Sequence, residues 1–111
     1  MADFDVLWTK EARQDLDDIA DYIVSDNGAA VALDIVHQVE QTCMTLVSMP
    51  ERGVVVPELR DIGVLQYRQL LLRPWRIFYR IHGGLVYVIA VVDSRRDLAA
   101  FLMDRLMRFD V

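Results

Sequence analysis

Tyr67 to Leu98 reads YRQLLLRPWRIFYRIHGGLVYVIAVVDSRRDL, and its adjacent strand patterns decide the fold. Trp75, Ile77, Tyr79 and Ile81 alternate with Arg76, Phe78, Arg80 and His82, the period of two expected of a half-buried strand. His82-Gly83-Gly84 predicts a tight hairpin turn, with glycine supplying positive φ. Leu85 to Val92 is continuously apolar and so predicts a central strand covered on both faces. Val64 to Leu72 predicts the strand before, stopped near Pro74.

Working outward, Phe4, Val6 and Trp8 alternate as a short opening strand. Thr9 is placed to cap a helix whose apolar stripe runs through Ala12, Leu16, Ile19 and Ile23, with Asp15, Asp17, Asp18 and Asp21 facing elsewhere. Ser25-Asp26-Asn27-Gly28 stops it. A second stripe from Ala32 through Val39, Cys43 and Val47 ends before Pro50. Helices joined this closely pack as an antiparallel hairpin. Two prolines and two glycines between Pro50 and Gly63 predict a loop. The last helix follows Asp93-Ser94, starts near Arg95-Arg96, and turns Leu98, Phe101, Leu102 and Leu106 inward. The expected fold is α+β, in the order β-α-α-β-β-β-α. Its antiparallel-rich sheet carries the helix hairpin on one face and is followed by a C-terminal helix.

The chain's 111 residues fit one domain. An apolar fraction of 54% excludes a disordered chain, and no apolar run reaches the length of a membrane span. The lone Cys43 excludes a disulfide framework and fits a reducing compartment, with the cytoplasm as the default. No histidine or cysteine cluster has metal-ligand spacing, and no glycine pattern matches a nucleotide loop. Neither metal nor cofactor is expected.

Charge is unevenly placed. Residues 1–50 hold two cations against ten acids, and residues 51–111 hold ten arginines against seven acids. Between Val64 and Arg96 stand six arginines (Arg68, Arg73, Arg76, Arg80, Arg95 and Arg96) and one acid, Asp93. Arginine's planar fork donates in pairs to phosphate or carboxylate and stays charged. Arg76, Phe78 and Arg80 share one strand face, and an arginine–aromatic–arginine row on an open sheet face suits such contacts. The plainer alternative pairs these arginines with local acids. The net charge of −5 argues against direct nucleic-acid binding.

Several motifs, taken in order, resemble the RelE/ParE toxins of bacterial type II toxin–antitoxin systems, closest to the ParE-like, plasmid-stabilisation branch. They are WTKEARQDLDDIADYI from Trp8, Pro50-Glu51-Arg52-Gly53, Pro57-Glu58-Leu59-Arg60, Tyr67-Arg68, the Trp75–Ile81 strand and Ser94-Arg95-Arg96-Asp97-Leu98. The resemblance spans nearly the whole chain. It implies a cognate antitoxin that wraps a largely helical, acidic segment over the toxin, in a hetero-oligomer, and leaves a homodimer open. For the ParE-like branch it implies DNA gyrase as target, by a protein–protein inhibition that needs no proton-transfer set. RelE-like members are instead ribosome-dependent mRNA endoribonucleases. Under that alternative Arg68, Arg76 and Arg96 would handle phosphate, but Arg68-Gln69-Leu70 stands where the family has lysines, and Phe101 where it has a tyrosine. A further alternative is a non-toxic antitoxin-binding or co-regulatory module. No catalytic residue is assigned on the leading reading. The residues expected to bind a partner are Arg68, Arg73, Arg76, Phe78, Arg80, Arg95, Arg96 and Phe101.

Overall fold

A computed structural model describes residues 3–94 and 98–108. Strand β1 (Asp5–Trp8) leads into helix α1 (Lys10–Asn27), started as expected by Thr9, whose Oγ1 accepts from the Ala12 N–H at 3.1 Å. Gly28, at φ 90°, ends α1 and admits α2 (Ala29–Met44) at once. A 3₁₀ turn (Thr45–Val47) follows. Strands β3 (Tyr67–Leu72), β4 (Trp75–His82) and β5 (Leu85–Asp93) and helix α4 (Ala99–Met107) complete the expected order.

Two departures matter. The segment expected as loop from Pro50 to Gly63 contains a two-residue strand β2 (Val54–Val55) and a one-turn helix α3 (Pro57–Arg60). The third strand begins at Tyr67, three residues later than expected, because Val64 and its neighbours follow the α3 turn: the Val64 N–H donates to Leu59 O at 2.9 Å. Helix α4 is described from Ala99; the start expected near Arg95-Arg96 lies outside the described residues.

The sheet order is β1-β5-β4-β3-β2, parallel only between β1 and β5. The hairpin turn falls at Gly83-Gly84, where Gly83 takes φ 62°. Strand β5 lies inside the sheet, between β1 and the central β4, and is buried along most of its length, as its unbroken apolar run predicts. Its pairing with β4 skips Ile89: Phe78 faces Ala90, whereas Tyr79 faces Val88. This bulge resets the alternation. Val86, Val88 and Val91 therefore face the α1–α2 hairpin, while Ile89, Ala90 and Val92 face the other layer.

That other layer corrects the expected open face. Val56 and Leu59 from the α3 segment and Leu98, Leu102 and Leu106 from the C-terminal helix cover the side of the sheet that carries Phe78. The opposite side packs Leu16, Val39, Cys43 and Leu46 onto Leu70, Ile77 and Tyr79. Each large side chain buried this completely favours the fold by about 1.5–3 kcal/mol over an exposed one. No helix among the described residues is long and apolar enough to cross a membrane.

Candidate functional site

Arg76, Phe78 and Arg80 do share one face of β4, but they form no open row. Phe78 is fully buried between the sheet and the C-terminal helix. β4 lies inside the sheet, so these arginines are not on an edge. The Arg76 guanidinium lies 4.9 Å from the Phe78 ring centroid and is held by two acceptors. Its Nη1 and Nη2 donate to Glu58 Oε2 and Oε1 at 2.7 and 2.8 Å, a bidentate pair. Its Nε donates to Gln69 Oε1 at 3.0 Å, and Nη2 bonds the same oxygen. The guanidinium beside Glu58 holds that carboxyl below the usual glutamate range.

Glu58 reaches Arg76 because Pro57 starts a helical turn directly after Val56, and Val56 anchors that turn in the core. Proline at the first helical position with an acid behind it is itself a helix-start signal. It went unread because a single turn shows no periodicity. Gln69, almost fully buried on β3, was likewise not expected to take part.

Arg68 is committed to the backbone. Its Nη1 donates to Gly53 O at 2.8 Å and to Glu51 O at 3.4 Å. Tyr79 fastens the same segment: its hydroxyl donates to Pro50 O at 2.7 Å and accepts from the Gly53 N–H at 3.0 Å. A Cβ at Gly53 would lie 2.6 Å from both Gln69 O and the Tyr79 hydroxyl, so only glycine fits there. Arg80 sits 5.7 Å from the Tyr67 ring centroid, with its Nε buried and without a hydrogen-bond partner among the described residues. Arg73 is exposed beside the cis Arg73–Pro74 bond of the β3–β4 turn. Phe101 is half-buried against the C-terminal layer, beneath the Arg105 guanidinium at 4.8 Å. Arg95 and Arg96 lie outside the described residues. The six described among the eight expected residues thus divide into a neutralised pair site at Arg76, a backbone staple at Arg68, aromatic packing at Phe78 and Phe101, Arg80 over Tyr67, and an exposed Arg73.

A second ion pair also went unread. Asp15, expected to face away from the core, is half-buried and receives Arg105 Nη1 and Nη2 at 2.7 and 3.0 Å. Its Oδ2 also accepts the Val91 N–H at 3.0 Å, while Arg105 Nη1 donates to Ile89 O at 3.1 Å. Asp15 holds Arg105 firmly charged, against the cost of burial. β1 pairs with β5 only as far as Val88. The pair therefore satisfies β5 backbone groups that β1 no longer reaches, at the bulge. The spacing Asp15–Arg105 crosses nearly the whole chain, and nothing local announces it.

Between Leu59, Val64 and Tyr67 on one side and Met103 and Leu106 of α4 on the other runs an apolar groove of about 270 Å³. Ile62, Leu65 and Met103 are exposed hydrophobics in its neighbourhood. Arg60 and Arg108 are exposed on the elements that border it. Each of these arginines stands beside an acid, Asp61 at 3.9 Å and Asp104 at 3.1 Å, so it is the shape and apolar lining of the groove that suit a helical segment with apolar anchors.

Residues 6–98 match the family described as the ParE toxin of the type II toxin–antitoxin system parDE. The chain is 30% identical over 97 residues to Toxin ParE3 of Caulobacter vibrioides, covering 87% of this chain and 93% of that relative. Among solved structures, a chain of the chromosomal ParDE toxin–antitoxin system from P. aeruginosa superposes with TM-score 0.67 at 24% identity, covering 81% of this chain and 95% of its own. The E. coli toxin RelE, as a mutant in the free state, gives TM-score 0.62 at 13% identity, over 97% of this chain and 99% of that one. At such identities the two structures bear on the fold alone.

Proposed function

The chain belongs to the ParE toxin family of type II toxin–antitoxin systems, and from that premise we propose that it inhibits an essential cytoplasmic target by surface contact and is neutralised by a cognate antitoxin. DNA gyrase is the proposed target. The observation that carries this reading is the state of Arg76. A phosphate-handling arginine must present free donors where charge develops on the scissile group. Here Glu58 and Gln69 already occupy Nε, Nη2 and part of Nη1. Arg68, which the ribonuclease reading also requires, has its Nη1 turned to Gly53 O and Glu51 O. Phe101 lacks a proton to transfer. Two of the three candidate ribonuclease cations are thus engaged inside the protein.

The antitoxin is proposed to lie in the apolar groove beside α4, with apolar anchors toward Leu59, Tyr67 and Leu106. One structural neighbour of the same fold was solved as the toxin–antitoxin complex RelBE2 from Mycobacterium tuberculosis, at TM-score 0.56 and 24% identity, over 84% of this chain and 93% of that chain.

Regulated expression with and without the adjacent antitoxin gene, followed by a gyrase supercoiling assay on the purified chain, tests the reading. The expected result is growth arrest, loss of supercoiling, and relief of both by the antitoxin. Codon-positioned cleavage of translated messenger with supercoiling intact would replace it by the ribonuclease. Unharmed growth would leave the antitoxin-binding module.

A further inference from the structure

β1 is an edge strand, paired to β5 on one side and to no strand on the other. The Asp5 N–H donates to Gly84 O at 3.2 Å and the Thr9 N–H to Val88 O at 3.0 Å. Odd-numbered residues therefore point their amides inward, and the backbone groups of Val6 and Trp8 point out. The next outward amide, that of Phe4, is already taken by Val47 O at 2.8 Å. Among the described residues no strand, turn or side chain answers the outward groups of Val6 and Trp8.

We propose that this edge pairs with the same edge of a second copy of the chain, antiparallel about a two-fold axis through Leu7. Parity restricts the choice of register, because an outward residue must face an outward residue. Centring on Val6 would need the Phe4 amide, which the 3₁₀ turn occupies. Centring on Trp8 would place Val6 opposite Lys10, which is already helical. Centring on Leu7 sets Val6 opposite Trp8 of the other copy, twice, and satisfies all four outward donors and acceptors.

Side chains agree with that register. Leu7 is an exposed hydrophobic, at 43%, and meets its own copy at the close, non-hydrogen-bonded position on the axis. Charge is arranged end to end, with Asp3 and Asp5 before the strand's midpoint and Lys10 and Arg13 after it. An antiparallel partner brings Asp5 opposite Thr9 of the other copy, at the end that carries Lys10, whereas a parallel strand would set Asp5 beside Asp5. A flat edge is usually blunted by charge at its centre; here the centre carries leucine. The interface is isologous and closes on itself. It lies on the far side of the sheet from β3 and the groove beside α4, so it stands apart from the proposed antitoxin site.

Leu7→Cys tests the axis. Cα atoms about 4.5 Å apart at such a pair fall in the range a disulfide spans, and Cys43 is fully buried and will not compete. Mild oxidation of Leu7→Cys should give a covalent dimer. Asp5→Cys should not, since its copies lie about 13 Å apart along the strands. Val6→Pro removes one outward donor per copy at a position where an edge strand tolerates proline. It should weaken the dimer measured by sedimentation at least about tenfold, beyond what Val6→Ala does, which loses the same core packing but keeps the donor. Equal cross-linking of the two cysteine variants would overturn the proposal, as would a monomer at the highest soluble concentration. Protection of the Val6 and Trp8 amides from hydrogen exchange only when antitoxin is added would assign the edge to the antitoxin instead.

Discussion

Arg76–Glu58 and Arg105–Asp15 are both bidentate, both close at 2.7 Å, and both leave the arginine side chain 11% exposed. Their carboxylates differ, with Glu58 at 35% and Asp15 at 15% exposure. Their reach differs more. The first joins residues 18 apart and pins a one-turn helix to the sheet. The second joins residues 90 apart, links α1 to α4, and finishes the β5 backbone where β1 ends. Similar chemistry thus serves a local clasp in one place and a closure of the whole fold in the other. The energetic difference follows from what each removal strands. Without Asp15, the Val91 N–H loses its acceptor and the Arg105 guanidinium keeps only Ile89 O. Without Glu58, Arg76 keeps Gln69 and no backbone group is stranded.

The largest effect should come from breaking the long-range pair. Asp15→Ala leaves Arg105 charged and uncompensated, which costs about 3–5 kcal/mol for a buried pair. Asp15→Asn, which keeps an acceptor for the Val91 N–H, should recover part of that loss. Urea denaturation followed by circular dichroism measures both. Equal destabilisation by Asp15→Ala and Glu58→Ala would dissolve the distinction between clasp and closure.

Glu58→Ala should cost less, about 1 kcal/mol, because a carboxylate one-third exposed is partly screened. Its consequence is chemical as well. It frees Arg76 donors, so any messenger cleavage that appears in this variant and not in the native chain would show that Glu58 masks an anion site. The same pair has a pH signature. The Glu58 carboxyl is depressed in the folded state, so its contribution is complete above the ordinary value of 4.5 and is lost as pH falls through the folded one. Glu58→Gln should lower stability at neutral pH, where the ionised carboxylate contributes fully, and converge with the native chain as pH falls through that acid window, so that its profile there is flatter. Persistence of the full acid slope in Glu58→Gln would assign it to other carboxylates.

The same contrast shows what could be read from sequence. Elements with enough length to display a period, α1, α2, β4 and β5, were legible, as were their stops at Gly28 and Gly83. The family signature was legible too, because it is a series of local motifs. What escaped was short or distant. α3 has four residues and one turn, so its proline and glutamate read as loop. Asp15 looked like its solvated neighbours on α1, and only the end of β1 opposite Ile89 gives it a buried role. The arginine row failed as an open site for a related reason. Alternation correctly put Arg76, Phe78 and Arg80 on one face, but alternation cannot tell what covers a face. Leu98, Leu102 and Leu106 cover it from outside the strand.

Cys43 offers the smallest effect, and a way to ask on which layer each pair acts. It lies fully buried under the α1–α2 hairpin, where burial pushes the thiol up to about 12. At pH 8 the thiolate is then a fraction on the order of 10⁻⁴, against roughly a tenth for a free cysteine. Alkylation of the native chain at that pH should be slower than of the unfolded chain by at least about a thousandfold. A raised thiol value favours the fold below the ordinary range near 9, and that contribution fades as pH climbs from there toward 12. Labelling at pH 8 therefore reports opening of the structure, with little direct titration of the thiol in the folded chain. Glu58 acts on the opposite layer, so Glu58→Ala should change the labelling rate by no more than its modest global cost, about fivefold. Asp15 sits on the helix that covers Cys43, and Asp15→Ala should raise the rate by about a hundredfold or more. If Glu58→Ala exposed Cys43 as strongly as Asp15→Ala, the two layers would open as one unit and the clasp would be part of the closure.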